Sequence, residues 1–524
     1  MPRPELYNLG RVGVIKDIAG HELPPEVWTD ARNVRFEDNK VIKFKGHEQV
    51  LGTPTVAPGF MLNIPFVGES IWVYASLTKL YAISSGVHGN ITRQTAAVDV
   101  NYTATAYEQW QGGVLGGIPI LNNGVDPPQM WPSLSLGSRA EELTAWPSGV
   151  LAKIVRPYGP FLVALNILDG SLYPHMVWWS HAADPGAVPS SWDYTDPTKL
   201  AGRSELIDVD GGQILDALML RDMLVIYKEN STHYMRFVGG QNVMKTDLLF
   251  AGSGILAPRC VCLVQRGTKH FVATGDDIVV HNTQSVDSLL DGKNAKYLSN
   301  DIDGAAKATA FAFHNPAKRE AWFCYPENGA ASPTKAFVWN YKDNTQTFRD
   351  FDGRFATPGF VSSVPSGTWD SDTDPWNSDS TLWGAEGLKQ AVYCSPEQTK
   401  FFQLDKGETF NGTPIQSYVE RTGLGLIGKD RSGQPKVSLR IKRLVKRLWP
   451  KVFGGAPLTI RVGMQDKLDG PITWSDAVVF DPTISDFVDI VIEGTIVAVR
   501  FENTGDIAWS MEGYDLDLEL LGEY

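Results

Sequence analysis

Short hydrophobic runs separated by polar turns follow one another along most of this chain, and a sustained helical period is rare. The stretch from residue 191 to 240 shows the pattern most clearly. Residues 223–227 and 232–238 are rich in β-branched and aromatic side chains, and the polar segment Lys228-Glu229-Asn230-Ser231 separates them. This spacing predicts an antiparallel hairpin.

Similar hairpins are predicted between residues 53 and 425, starting roughly 45 to 60 residues apart, which is close to one four-stranded propeller blade with insertions. The fold class predicted is therefore all-β, with a β-propeller over residues 53–425. An N-terminal β extension (residues 1–52) precedes it, and in it the strands Ala31–Phe36 and Lys40–Phe44 are predicted to form a hairpin around Glu37-Asp38-Asn39. Longer alternating strands after residue 426 predict a C-terminal β-sandwich (residues 426–524). A chain of several β-sandwiches is the alternative.

Composition excludes several classes of protein. The chain has 524 residues and a formal charge of −13, which argues against a protein that coats nucleic acid with its whole surface. Its four cysteines are too few and too scattered for a disulfide framework, so we expect them to be reduced and buried. No apolar run is long enough for a membrane span, and the N-terminus has no signal-peptide core, so we expect folding in cytoplasm.

Candidate chemical motifs are weak. Asp370, Asp372 and Asp374 are spaced like the start of a calcium loop, but Pro375 stands where that loop needs glycine. Cys260-x-Cys262 with His270 lacks a second pair of zinc ligands, and Asp276-Asp277 follows a glycine between two β runs, as in a turn. The sequence therefore predicts no catalytic, cofactor-binding or metal-binding residue, and a protein that is not an enzyme.

A basic segment stands out in this acidic chain. Residues 436–451 hold seven cations, and no acidic residue occurs between Asp430 and Asp466. One interpretation is a solvated strand face whose other side is core. The other is contact with DNA phosphates or with an acidic protein partner. The candidate contact residues are Arg440, Lys442, Arg443, Lys446, Arg447 and Lys451.

A tryptophan repeat marks a second candidate surface. Trp369, Trp376 and Trp383 recur every seven residues among Asp, Ser and Thr. Because Pro375 lies inside the repeat, it is not a helical heptad. It predicts a winding surface loop available for interaction.

The most distinctive combination of tryptophans, glycines and strand motifs lies between residues 176 and 240. Its parts are Trp178-Trp179-Ser180, Asp184-Pro185, Ser191-Trp192-Asp193, Ala201-Gly202, residues 208–212 and residues 224–228. The opening of the chain adds Leu23-Pro24-Pro25-Glu26, Ala31-Arg32-Asn33-Val34 and Lys43-Phe44-Lys45-Gly46. Together with the tryptophan repeat, this combination resembles the tail nozzle proteins of short-tailed bacteriophages, also called packaged-DNA stabilisation proteins. The resemblance extends to about residue 425.

The resemblance implies a virion structural protein of the phage tail that is assembled in the host bacterial cytoplasm. Its subunits would form a homo-oligomeric ring, expected to be a hexamer, below the portal and its adaptor. The ring would contact the phage genomic DNA without sequence specificity, retain the packaged DNA and release it on infection. An acidic lumen would keep DNA from sticking, so the basic segment is expected to dock the adaptor or a neighbour.

Two alternatives come from other classes of protein. A propeller glycan hydrolase acting on polysaccharide would have the acidic loop Asp370–Asp379 near its mouth. A receptor-binding tail component is an alternative beside it. A propeller scaffold that binds cellular proteins would show regular WD or kelch spacing, and this chain has none.

Overall fold

The computed structural model describes residues 5–66, 69–208, 212–240, 242–361, 389–429, 435–468 and 470–523. Strands dominate, and the described helices are one short α-helix, Ala295–Asp301, and three 3₁₀ turns, Gly20–Glu22, Tyr107–Gln109 and Lys307–Thr309. The all-β prediction is confirmed.

In the described parts of the chain, seven small sheets follow one another in sequence order, and we call them ring sheets 1 to 7. Their pairings are antiparallel except for the parallel bridge between Phe410 and His47 in ring sheet 7. Ring sheet 1 comprises Phe60–Phe66, Glu69–Ala75, Leu80–Ser84 and Val87–Asn90. Ring sheet 2 comprises Gln111–Leu115, Ile118–Asn122, Gln129–Met130 and Glu141–Glu142. Ring sheet 3 comprises Leu151–Tyr158, Phe161–Asp169, Ser171–Trp179 and Gly202–Glu205. Ring sheet 4 comprises Ile214–Leu220, Met223–Lys228, Ser231–Phe237 and Met244–Ala251. Ring sheet 5 comprises Val261–Val264, Lys269–Ala273, Ile278–His281 and Val286–Ser288. Ring sheet 6 comprises Phe311–Asn315, Glu320–Tyr325, Lys335–Asn340 and Thr345–Asp350.

Ring sheet 7 joins distant parts of the chain. Its strands Phe355–Gly359, Gln390–Ser395 and Lys400–Leu404 are completed by the early strand His47–Val50, and the short strands Thr409–Phe410 and Thr413–Pro414 extend it. The first strands of consecutive sheets contact one another, and that of sheet 7 contacts that of sheet 1. The seven sheets therefore close into a propeller-like ring.

Two further antiparallel sheets of six strands each combine the beginning and the end of the chain. Terminal sheet A contains Glu5–Tyr7, Val34–Glu37, Lys40–Lys43, Ile441–Phe453, Val488–Gly494 and Ser510–Glu523. Terminal sheet B contains Asp30–Arg32, Ser417–Leu424, Leu458–Gln465, Thr473–Trp474, Val478–Phe480 and Ile496–Asn503. Phe501 of sheet B and Tyr514 of sheet A pack with ring centroids 5.3 Å apart, so the two sheets share a core.

Two small ladders lie outside these sheets. They pair Gln94–Thr95 with Val98–Asp99, and Leu426–Lys429 with Pro435–Val437. The boundaries at residues 52 and 425 stay a prediction, although strands from the first 52 residues pair with strands after residue 416.

The terminal sheets are attached to the ring by a buried ionic cluster. Arg35 donates to Glu320 of ring sheet 6 at 3.0 Å and to Asp405 at 2.8 Å, and all three side chains are at most 10% exposed. Thr347 Oγ1 also donates to the carbonyl oxygen of Val34 at 2.6 Å. Buried charges that are paired and hydrogen-bonded fix one geometry, so the ring and the terminal sheets hold a defined orientation.

One local prediction needs correction. Residues 31–36 do not form a single strand, because Asn33 has a left-handed backbone with φ of 56° and divides the segment between the two terminal sheets. The Asn33 amide donates to Asp350 at 2.7 Å and to the carbonyl of Gln416 at 2.8 Å, and these bonds support the break. Asparagine tolerates this conformation better than most residues.

Candidate functional site: a charged strand face and an axial cavity

The basic segment forms the long strand Ile441–Phe453, which lies between Val488–Gly494 and Ser510–Glu523. These neighbours carry acidic residues, and the cations pair with them across the sheet. The ion pairs are Lys442–Glu493 at 2.9 Å, Arg447–Asp489 at 2.7 Å, Lys451–Asp515 at 3.0 Å, and Lys446–Glu519. We call this surface the charged face. Its positive charge is largely neutralised by its own sheet.

Arg443 does not belong to this surface, because it is fully buried. Its guanidinium donates to the backbone carbonyls of Leu426 at 2.6 Å and Gly425 at 2.9 Å, and also to those of Ser438, Ile441 and Thr495. Burial lowers the pKa of Arg443 to about 10, so it stays charged at neutral pH. The side chain therefore binds strand ends together. Of the other candidates, Arg440 is exposed at the start of the strand.

The tryptophan repeat at Trp369, Trp376 and Trp383 lies outside the described residues, and so do Asp370, Asp372 and Asp374. Asp276 and Asp277 lie between the strands Lys269–Ala273 and Ile278–His281, and the turn prediction is confirmed. The four cysteines are free and buried, as predicted.

The tryptophans of the distinctive stretch anchor a long connection in ring sheet 3. Trp178 Nε1 donates to the carbonyl of Trp192 at 2.9 Å, and Trp179 Nε1 donates to the carbonyl of Leu200 at 2.8 Å. Both indoles lie in the third strand of the sheet and hold residues 180–201 against it. Buried indole N–H groups need such partners.

Asp208 and Lys228 of the same stretch form a second anchor. Lys228 is fully buried, and its Nζ donates to Asp208 Oδ1 at 2.9 Å and to the carbonyl of Leu206 at 2.8 Å. His233 Nε2 lies 3.0 Å from Asp208 Oδ2. Burial opposes ionisation, but hydrogen bonds from Ser231, Lys228 and His233 hold the pKa of Asp208 below its usual range. In a catalytic triad the histidine lies between the serine and the aspartate. Here Ser231 and His233 both contact Asp208, so the cluster does not have that arrangement.

The first strands of the seven ring sheets surround a cavity of about 340 Å³ on the axis of the ring. Every ring sheet contributes to its lining, with Met61, Gln111, Arg156, Ala217, Val261, Phe313 and Ala356 as one example from each. We call it the axial cavity. Its volume lies in the range of small-molecule sites.

The charged groups that line the axial cavity are Arg156, Asp216 and Arg259. Arg156 donates from Nη2 to Asp216 Oδ1 at 2.6 Å and from Nε at 3.0 Å. Asp216 also accepts the backbone N–H groups of Ala217 at 2.7 Å and Arg259 at 2.8 Å. This carboxylate is therefore saturated, and it neutralises Arg156.

The guanidinium of Arg259 has no such partner. The residue is 7% exposed, its guanidinium lies 5.4 Å from the centroid of the Phe355 ring, and its Nε and Nη1 make no hydrogen bond within the described chain. Burial lowers the pKa of Arg259 below its ordinary value. Sequence reasoning missed this residue, because it stands alone in a connection and its surroundings come from distant strands.

Two histidines form a neutral cluster between ring sheets 4 and 5. Tyr227 Oη lies 2.6 Å from His270 Nδ1 and 2.7 Å from His281 Nε2. Burial lowers the pKa of His270 to about 3 and that of His281 to about 4, so both rings are neutral at pH 7. His270 is thus a core residue.

Within the described ranges, no group of three or more His, Cys, Asp or Glu side chains is arranged to hold a metal ion. No helix in that part of the chain is long and apolar enough to cross a membrane.

Comparison with known proteins gives distant similarities in structure alone. No family model matches the chain, and no curated protein matches it. Solved structures include the N-terminal domain of Nup159 at TM-score 0.35 and 11% identity, over 69% of this chain and 94% of that one. A fungal alcohol oxidase gives 0.39 and 10%, over 90% and 92%. Kluyveromyces lactis Hsv2p gives 0.30 and 9%, over 75% and 97%. At these scores the similarities support no statement about activity.

Proposed function

We propose that this chain is the structural tail nozzle protein of a short-tailed bacteriophage, a virion protein assembled in the host cytoplasm. Several copies, expected to be six, would form a ring below the portal and its adaptor. That ring would extend the DNA channel, retain the packaged genome and release it on infection. In this proposal the seven ring sheets are the blades of a β-propeller. Residues 1–52 are its β extension, and the terminal sheets form a β-sandwich.

The observation that carries the proposal is the position in the fold of the residues that resemble tail nozzle proteins. In ring sheet 3, the indoles of Trp178 and Trp179 donate hydrogen bonds to the connection that contains Trp192. The Lys228–Asp208 pair holds the connection between ring sheets 3 and 4. Part of the resemblance therefore rests on buried residues that hold strands and connections of the ring together. A protein with this combination is expected to share the architecture of the family it resembles.

The size of the axial cavity determines where DNA would pass in this proposal. A space of about 340 Å³ accommodates a small molecule and cannot pass duplex DNA. A DNA channel would have to lie between subunits, so the proposed function requires a homo-oligomer. The formal charge of −13 agrees with a channel that DNA leaves without adhering.

Exposed apolar side chains at the edge of the terminal sheets suit contact between copies. Ile484 is 83% exposed, Val491 76% and Val479 68%, all within the consecutive segment 478–494. Val488–Gly494 is also the last strand of terminal sheet A. An unpaired edge strand with apolar neighbours favours association with another chain.

A glycan hydrolase is the second candidate, and the axial cavity does not favour it. Glycosidases commonly use two carboxylates that face each other across the bond to be cleaved. Among the described residues that line the cavity, Asp216 is the single carboxylate, and Arg156 neutralises it. A turnover assay on host glycans tests this candidate directly.

Immunogold electron microscopy of phage particles, with an antibody against this protein, tests the proposal. We expect label at the tip of the tail. Label on side fibres would favour the hydrolase or a receptor-binding component. Particles without label, after the epitope is shown to be accessible, would overturn a virion role.

A further inference from the structure

We propose that the axial cavity binds a small oxyanion through Arg259. The chemical class is a ligand in which two or more oxygens on one atom share negative charge, which is either a carboxylate or a phosphate. This proposal is independent of the tail nozzle assignment, because it concerns the inside of one ring of sheets.

The backbone of Arg259 is fixed on both sides. Its N–H donates to Asp216 Oδ2 at 2.8 Å, and its carbonyl accepts the N–H of Ala312 at 2.8 Å. These bonds tie the residue to ring sheets 4 and 6, and Phe355 of ring sheet 7 lies beside its guanidinium. The side chain is therefore held at the cavity wall by three different sheets.

The charges around the cavity favour an anion. Arg156 and Asp216 neutralise one another, which leaves the guanidinium of Arg259 as the uncompensated charge among the described lining residues. Burial of a guanidinium without hydrogen bonds or a counter-ion is costly, so ligand oxygens would gain strong charge-assisted bonds. Glu108 acts on Arg259 electrostatically but is not hydrogen-bonded to it.

A second buried arginine shows that missing partners alone do not make a site. Arg349 Nε and Nη1 also have no hydrogen-bond partner among the residues that the structure describes, and the residue is 1% exposed. Its guanidinium, however, packs against the rings of Phe44 and Trp322 and donates from Nη2 to the carbonyl of Lys45 at 3.0 Å. Arg349 does not line the axial cavity. It provides a matched control.

Equilibrium dialysis of the full chain against radiolabelled inorganic phosphate, and separately against acetate, tests the proposal at constant ionic strength in sodium chloride. We expect one anion bound per chain, and the preferred probe identifies the phosphate or the carboxylate class. Arg259→Met should weaken binding by roughly tenfold to a hundredfold, since it removes charge-assisted hydrogen bonds. Arg349→Met should bind like the wild type.

A thermal shift measurement provides a second readout. Saturating concentrations of the preferred anion should raise the Tm of the wild type by about 3 °C and leave that of Arg259→Met unchanged. If the wild type binds neither probe up to about 10 mM, or if Arg259→Met binds as tightly, the proposal is wrong. Binding that appears only in Glu108→Gln would also overturn it, because Glu108 would then be the partner of Arg259.

Discussion

The cations of the charged face and Arg259 of the axial cavity differ in whether they have an acidic partner. On the charged face, Lys442, Arg447 and Lys451 each meet an acidic side chain on the neighbouring strand within 3.0 Å. In the axial cavity, Asp216 neutralises Arg156, and the guanidinium of Arg259 is nearly buried without a hydrogen bond from Nε or Nη1 to any described residue. A dense run of cations in sequence is thus largely neutralised by its sheet, whereas a single inconspicuous arginine keeps an uncompensated charge. Charge density along the chain is a poor guide to where a charge is available for binding.

Arg443 should show the largest effect on stability. Arg443→Met leaves several buried carbonyls without a donor, and we expect a loss of about 3–5 kcal/mol in the free energy of unfolding. Urea unfolding followed by tryptophan fluorescence measures it. The control Arg440→Met, at an exposed position of the same segment, should stay within about 0.5 kcal/mol. A loss below about 1 kcal/mol for Arg443→Met would contradict the structural role.

The ion pair of the axial cavity should come next. Asp216→Asn removes the partner of Arg156, and we expect a loss of about 2–4 kcal/mol because a buried cation is left unpaired. In a double-mutant cycle with Arg156→Met, the coupling energy should exceed about 1 kcal/mol. Additive effects of the two substitutions would show that Asp216 does not neutralise Arg156.

Acid should destabilise the ring through its buried histidines, because burial lowers their pKa in the fold. An unfolded histidine takes up a proton near pH 6.5, but His281 in the fold resists protonation until about pH 4. The unfolded state binds more protons in this window, so stability falls as the pH falls. Each such histidine contributes a slope of about 1.4 kcal/mol per pH unit.

His281→Gln tests this pH dependence and keeps a polar partner for Tyr227. Between pH 7.5 and 5, the variant should lose about 2 kcal/mol less than the wild type, as measured by urea unfolding at both pH values. Equal pH dependence in the wild type and the variant would show that His281 titrates normally.

The ion pairs of the charged face should matter least for folding. Lys442→Met should cost at most about 0.5 kcal/mol, because exposed pairs are screened by water and salt. If the charged face docks the adaptor, the triple variant Lys442→Met, Lys446→Met and Arg447→Met should nevertheless weaken assembly onto tail intermediates. Normal assembly with altered DNA retention would place this face in the channel instead. Arg443 is left intact, so misfolding does not confuse the result.

Local features of the fold follow from the sequence, and long-range ones do not. The hairpin Met223–Lys228 and Ser231–Phe237 is predicted because its hydrophobic runs and its turn are adjacent. The break at Asn33 is missed because its support comes from Asp350 and Gln416. The completion of ring sheet 7 depends on the pairing of His47–Val50 with Lys400–Leu404, which no local pattern predicts.

For the candidate sites, too, the sequence predicts local features and does not predict long-range ones. The basic strand is visible in sequence, but its acidic partners Asp489, Glu493, Asp515 and Glu519 come from two later strands. The burial of Arg443 and Arg259 depends on surroundings built by remote segments. The sequence therefore identifies the basic segment, but it does not show which of its cations lack an acidic partner and could bind another molecule.

The closure of ring sheet 7 also has a consequence for biosynthesis. Val50 pairs with Phe401, so an early strand waits for a partner made about 350 residues later. At a ribosomal rate of about 5–20 residues per second, the wait is about 20–70 s. During this time the unpaired edge of His47–Val50 is exposed to other nascent chains. For a protein made in many copies at once, the period before closure is the time when strand exchange between neighbours competes with correct folding.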